Sequence, residues 1–479
     1  MNPEIILQAV FASLPEIIIL AAACLLLLAD LVLGQQRAHI IAYLAVAAVL
    51  AASVASLSMD PMSQSVYSGM FIADRFALFF KMLFYLATIL VVLFSIDYLK
   101  VEGVFQAEYF VFLLFALSGM MIMASGIDLL SIYIGLELMA LSAYVLSGFF
   151  RHDLRSNEAA MKYVILGALS SGILLYGMSL LYGLTGTTQL PELATILGAT
   201  KALDSALILA VLLLICGFAF KVAAVPFHMW VPDVYEGAPT PITAFLSVAP
   251  KAAGFAVILR IFLDGLGSAT EIWLVVAAIM ALASLILGSL VALVQTNIKR
   301  MLAYSSIAHA GFALLGLVAG GANGIASVMY YLLIYTFMSL GAFGIIISMR
   351  QGEISGEQIE DYRGLAKIHP VLAFLMLIFL FALAGIPPTA GFFAKFYIVV
   401  ALIEQGYVAL AVIAVLFSVV AAFFYIRIIM LMYMREPDQE FNLELTPPLR
   451  AVLAITGAGV ILIGIMPAWG LEWAQQAIF

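Results

Sequence analysis

Thiols, charges and basic leader residues are scarce in this chain, and each shortage removes a class of function. Cys24 and Cys216 are the only two cysteines in 479 residues. Both sit inside apolar runs, too few and too far apart for a disulfide framework or the ligand set of a zinc or iron–sulfur centre, so no metal site is expected. Charged residues make up 10% of the chain, well under the roughly 25% of an ordinary soluble domain. The formal net charge of −8 says little about partners, because charge in such a chain is read by its distribution between loops, and nothing supports nucleic-acid binding. No glycine-rich turn follows a strand pattern, so nothing points to a dinucleotide fold. The first residues, MNPEIILQ, lack the basic stretch of a cleaved signal peptide, which predicts that the first helix stays in the mature chain.

What the chain has is apolar length. Hydrophobic residues reach 65% and the mean hydropathy is +1.17, values of an all-α polytopic membrane protein. Fourteen segments are long enough to cross a hydrocarbon layer about 30 Å thick, from Leu14–Leu33 to Ala451–Met466. Loop charge supports the count. One set of alternate loops holds Arg37, Lys100, Arg151, Arg155, Lys299, Arg300, Arg350, Arg363, Lys367, Arg435 and Arg450; the other holds Arg75 and Lys201. A wrong helix count would mix the two sets, and the asymmetry places the basic set in the cytoplasm and both termini outside.

Two segments do not read as plain helices. The stretch Pro370–Ile403 would run about 51 Å as a straight helix, and it contains Gly385, Pro387 and Pro388. The seventh segment, Ala206–Trp230, carries Pro226 and is followed by Pro232, Pro239 and Pro241. Proline removes an amide donor and frees carbonyls at membrane depth, so helices seven and twelve are expected to be broken and to border hydrated cavities. Breaks five helices apart predict two inverted five-helix repeats. The resulting division is residues 1–106 as a three-helix segment, 107–265 as helices four to eight, 266–434 as helices nine to thirteen, and 435–479 as a loop and helix fourteen. Met161, Tyr163 and Ser171 match Met329, Tyr331 and Ser339 at a constant offset of 168.

Four ionisable residues stand deep in apolar sequence: Glu137, Lys221, Lys251 and Lys395. A charge near the bilayer centre costs roughly 2.5–3.5 kcal/mol on insertion scales, so such groups face a bundle interior and serve ion movement. Glu137 and Lys221 are expected on facing helices within about 8 Å. At an effective dielectric near 20, charges about 6 Å apart interact by roughly 3 kcal/mol, so changing their separation changes proton affinity. A structural salt bridge is the bland alternative for this pair, and a lysine bonded to freed carbonyls is the alternative for Lys251 and Lys395. His309 is a possible relay by virtue of its imidazole, as Lys162 is by its place inside its helix, whereas His228 sits beside the proline-rich turn. Lys81, Arg260 and Arg427 read as snorkelling residues near helix ends. Asp233 and Glu236 read as caps or solvated groups of the turn after the seventh segment.

The stretches KVAAVPFHMWVPDVYEGAPTPITAFL, QTNIKRMLAYSSIAHAGF and LAGIPPTAGFFAKFY resemble the antiporter-like membrane subunits of respiratory complex I. The wording TNIKR and AYSSIAH, with a lysine at 395, is most similar to subunit N, and no long extension follows the last helix as in subunit L. The resemblance covers essentially the whole chain. It implies a subunit of NADH:quinone oxidoreductase that moves protons, with Glu137, Lys221, Lys251 and Lys395 matching the family's glutamate of helix five and lysines of helices seven, eight and twelve. It further implies that NADH, FMN, iron–sulfur clusters and quinone are handled by other subunits. The M and K subunits and membrane lipids are the implied partners, and a bacterial inner membrane is the implied location. A subunit of a multisubunit cation/proton antiporter is the competing reading, since it shares the helix pattern and the buried lysines.

Overall fold

The computed structural model describes residues 3–33, 38–61, 64–199, 204–350, 355–437, 443 and 445–478. Among them it is helical throughout, with four isolated bridges and no sheet. The helices are α1 (Pro3–Ala12), α2 (Leu14–Leu33), α3 (Ala38–Ser58), α4 (Arg75–Val101), α5 (Glu108–Ser125), α6 (Leu129–Ser147) and α7 (Leu154–Thr185). Next come α8 (Leu190–Ala199), α9 (Ser205–Val222), α10 (Trp230–Gly237), α11 (Thr240–Leu259), α12 (Thr270–Ala292), α13 (Ile298–Ala319) and α14 (Gly321–Met349). The chain closes with α15 (Leu365–Ile368), α16 (Pro370–Ala384), α17 (Ala390–Glu404), α18 (Val408–Met434), α19 (Pro447–Ile465) and α20 (Pro467–Gln476).

Thirteen of these spans, one of them running on from α11 through a π turn, are long and apolar enough to cross a membrane. The pair α16 and α17, placed end to end, supplies the fourteenth crossing. The short helices α1, α8, α10 and α20 were not visible as apolar runs. The seventh crossing stops at Val222, earlier than the apolar pattern indicates, because Ala223 adopts φ 65° and the chain turns through Pro226 before α10 begins. A side chain in the left-handed region is disfavoured, and Ala223 is therefore a firm stop. Helix starts are set locally by Asp74, Asp128, Asp153, Asp204 and Asn297, each accepting a backbone N–H of the first turn, as N-cap residues do.

The interior is formed by α11, α13 and α14, which are buried along nearly their whole length, so charges on them face protein. Helices α5 and α6 approach at backbone distance: a Cβ on Gly119 would stand 2.5 Å from the Gly135 oxygen, the close approach that small residues allow in membrane helix pairs.

Two residues read as snorkelling are instead buried partners. Lys81 on α4 meets Glu16 on α2 at 2.6 Å, with both side chains at most 5% exposed. Arg260 binds both oxygens of Asp74 at 2.7 and 2.9 Å and the Ala124 carbonyl at 3.1 Å. Arg427 also fails to reach outward, since it donates to the Leu293 and Gln295 carbonyls at the end of α12. Position near a helix end does not reveal which neighbour an arginine will find. Removing one partner of a buried pair typically costs about 3–5 kcal/mol, whereas replacing both with apolar groups is close to neutral. Lys81→Met is accordingly expected to lower the thermal stability of the detergent-solubilised protein, and Glu16→Leu/Lys81→Met to restore most of it. Equal loss in the single and double variants would contradict this.

Loop residues of the basic set tie the ends of crossings together. Arg350 pairs with Glu102, Lys367 with Glu436, and Thr446 with Asp97, each joining the ends of different crossings. Arg37 and Lys201 lie outside the described residues. Two small backbone ladders are built alike. Leu129 N–H donates to Thr188 and Leu190 N–H to Ile127; Ile298 N–H donates to Glu357 and Ile359 N–H to Thr296. Each residue of the second ladder stands 169 positions after its counterpart.

Candidate functional site

Glu137 comes from the middle of α6, Ser171 from α7 and Lys221 from the last turn of α9. The Ser171 hydroxyl donates to Glu137 Oε1 at 2.5 Å, and Lys221 Nζ reaches the same hydroxyl oxygen at 3.5 Å. Since the two legs share one atom, carboxylate and ammonium lie no more than about 6 Å apart. They are joined through a hydroxyl, not as a direct salt bridge. Lys221 is buried while Glu137 is partly open.

Lys251, on the fully buried α11, donates to the Ser306 hydroxyl at 2.8 Å and to the Ser306 carbonyl at 3.2 Å. Gly254 shares its helix face one turn on, and a Cβ there would press on Val222 and come near Lys221 Cβ. The two lysines therefore project from packed helices, though no direct hydrogen bond joins them. Lys395 lies on α17 beyond the break and binds the Leu383 and Ala384 carbonyls at 3.1 and 2.8 Å and the Ser418 hydroxyl at 2.9 Å. Those carbonyls end α16, where Gly385 turns through φ 82°. The broken helix thus makes the acceptors that hold the ammonium.

His309 stands between the second and third lysines, within electrostatic reach of both. Its Nδ1 pairs with the Tyr331 hydroxyl at 2.5 Å and its Nε2 with that of Tyr425 at 3.2 Å, and Tyr425 in turn pairs with Ser305. The four charges and His309 follow one another across α6, α9, α11, α13 and α17, in four hydrogen-bonded clusters. Sequence reading missed the hydroxyls of Ser306, Ser418 and Tyr425, each of which contacts one of these groups. A serine in an apolar helix has no pattern that marks it, although Ser171 and Tyr331 stood in the 168-residue echo.

Lys162 is not brought into this series. It pairs with Glu158 at 2.7 Å and Asp233 at 2.6 Å and is 40% exposed. Asp233 and Glu236 do more than cap a turn: Arg300 joins them at 2.9 and 2.8 Å. Lys299, placed in a loop by sequence, is buried and donates to the Glu236 and Ala238 carbonyls and to Glu357. His228 is buried beside the break, its Nδ1 without a hydrogen-bond partner. Among the described residues no three His, Cys, Asp or Glu side chains converge on a metal position.

Burial alone would raise the Asp233 carboxyl, but the hydrogen bonds from Lys162 and Arg300 outweigh it and hold the group below the usual carboxylate range. Its folded value is the lower one, so the stabilisation is complete above the ordinary value near 3.8 and is lost as pH falls through the folded value. Hydrogen-exchange protection of α10 is expected to be unchanged from pH 7 to 5 and to fall only below about pH 4. Loss of protection already at pH 5 would contradict the ion-pair assignment.

A broken-helix bundle with lysines in its core defines a class of ion-moving membrane subunits, and the comparisons agree. Residues 125–421 match the family described as NADH:quinone oxidoreductase/Mrp antiporter, transmembrane. The chain is 62% identical, over the full length of both, to NADH-quinone oxidoreductase subunit N 2 of Rhizobium meliloti. A chain of respiratory complex I from Thermus thermophilus superposes with a TM-score of 0.81 at 29% identity, covering 96% of this chain and 98% of that one. A chain of the Mrp complex from Dietzia superposes at 0.83 with 22% identity, covering 100% and 97%, and shares the fold. The chain belongs to the antiporter-like membrane subunits of the NADH:quinone oxidoreductase family, and its curated relatives are N-type subunits.

Proposed function

We propose that the chain is the proton-translocating N-type membrane subunit of an NADH:quinone oxidoreductase, and that Glu137, Lys221, Lys251 and Lys395 are its proton-carrying groups, with His309 as a relay. The observation that carries this reading is the Ser171 hydroxyl held between Glu137 and Lys221. An acid and an amine separated by one hydroxyl interact by roughly 3 kcal/mol at an effective dielectric near 20, so a small shift of α6 against α9 changes which of them holds a proton. Lys251 and Lys395 are each solvated by hydroxyls and carbonyls without a carboxylate partner within 4 Å among the described residues, and both charge states of a lysine so placed are accessible. Lys162 is kept as a lesser candidate, acting at the surface cluster.

The division into two inverted repeats is supported by the matching ladders. Five crossings separate the start of α6 from the start of α13, so the two ladders sit at opposite faces. In the proposed orientation the basic face is turned to the cytoplasm of a bacterial cell, across its inner membrane. NADH, FMN, iron–sulfur clusters and quinone belong to other subunits of the complex, and M- and K-type subunits and lipids flank this chain. A subunit of a multisubunit cation/proton antiporter is the weaker reading, because relatives at 62% and 45% identity are N-type subunits of the oxidoreductase. The test is NADH-driven acidification of proteoliposomes carrying the assembled complex with each of the four charges neutralised in turn. Unchanged pumping in all four variants would overturn the reading.

A further inference from the structure

The four-charge series does not use Tyr235, whose side chain is wholly buried while its hydroxyl has no hydrogen-bond partner. Buried hydroxyls are nearly always paired, and an exception calls for a water or a function. Tyr235 lies on α10 between the two surface carboxylates already described, being two residues after Asp233 and next to Glu236. Its ring is 5.7 Å from the Lys251 ammonium, and Ser306, which binds that ammonium, faces the Tyr235 hydroxyl without closing a hydrogen bond. So one short helix carries both a half-buried ionic cluster on the basic face and a neutral hydroxyl aimed into the pocket of a central lysine.

Helix α10 is also firmly placed. Lys299 donates to its last carbonyls, Thr243 donates to the Tyr235 carbonyl at 2.9 Å, and Trp230 stacks on Tyr163 with ring centres 4.4 Å apart. A pre-positioned hydroxyl with a free donor and free lone pairs is what a proton wire needs.

We infer that Tyr235 forms a water-binding proton-uptake site, relaying protons from the Asp233 and Glu236 cluster on the basic face to Lys251. The inference rests on the proposed role of Lys251. In the step, the tyrosine oxygen takes a proton from a water on the cluster side as its own O–H proton passes to a water or to Ser306 on the Lys251 side, so the ring stays neutral. Burial pushes the Tyr235 hydroxyl well above its usual range, which fits a neutral relay.

The test is Tyr235→Phe in the assembled complex, reconstituted in liposomes. The hydroxyl has no protein partner, so its removal is expected to leave assembly and thermal stability unchanged. NADH-driven pumping and coupled quinone reduction are expected to fall severalfold, and the solvent deuterium isotope effect on coupled turnover to rise. A purely structural tyrosine would shift neither rate nor isotope effect. As a second arm, 3-fluorotyrosine at position 235 keeps the shape and changes the acidity of the hydroxyl, and a changed pumping rate is expected. Wild-type pumping in both, alongside lost pumping in Lys251→Met, would overturn the inference alone. Wild-type pumping in Lys251→Met as well would overturn the proposed role of Lys251 on which the inference rests.

Discussion

Lys221→Ala is expected to reduce NADH-driven proton pumping of the assembled complex by at least about tenfold, while NADH oxidation by a water-soluble artificial acceptor stays at the wild-type rate. The alanine deletes the ammonium and leaves Glu137 with only the Ser171 hydroxyl. Glu137→Gln keeps the shape and an acceptor for that hydroxyl but loses the charge, so a smaller, severalfold loss is expected. Lys221→Arg separates the two explanations for the pair. A guanidinium stays charged at every accessible pH, so arginine preserves a structural salt bridge and blocks a proton site. Restored pumping with arginine would favour the structural bridge.

Lys395→Met should be similarly severe for pumping, and it should also cost stability. The ammonium binds the Leu383 and Ala384 carbonyls that the break before Gly385 leaves without intrahelical partners. Stranding buried acceptors costs about 1–3 kcal/mol each, so the methionine variant is expected to melt earlier in detergent. Lys395→Arg keeps donors for those carbonyls and should regain much of the melting temperature without regaining pumping. If the two properties returned together, Lys395 would be a clamp for the broken helix and not a carrier.

The path of the chain through the membrane was readable because apolar length and loop charge report it directly. The breaks were readable because Pro226, Pro387 and Pro388 cannot continue a helix. Glu137, Lys221, Lys251 and Lys395 stood out because a charge deep in an apolar run is costly and must find a partner, structural or functional. What pairs with what was not readable. Lys81 with Glu16, Arg260 with Asp74 and Lys299 with the end of α10 join residues 63 to 186 positions apart, and periodicity carries no information at that range. The solvating hydroxyls were hidden too, since serine and tyrosine fit an apolar helix whether they face lipid or lysine. Helix α10 was hidden by its prolines, which read as a turn.

The bridge at Ser171 is the fast element of the subunit. A serine has one hydrogen and rotates about a single bond, so reversing its direction between acid and amine takes picoseconds to nanoseconds, whereas displacing helices takes microseconds to milliseconds. The hydroxyl therefore keeps pace with any rearrangement around it and cannot itself set the turnover rate. Whatever limits that rate lies elsewhere than in this hydroxyl.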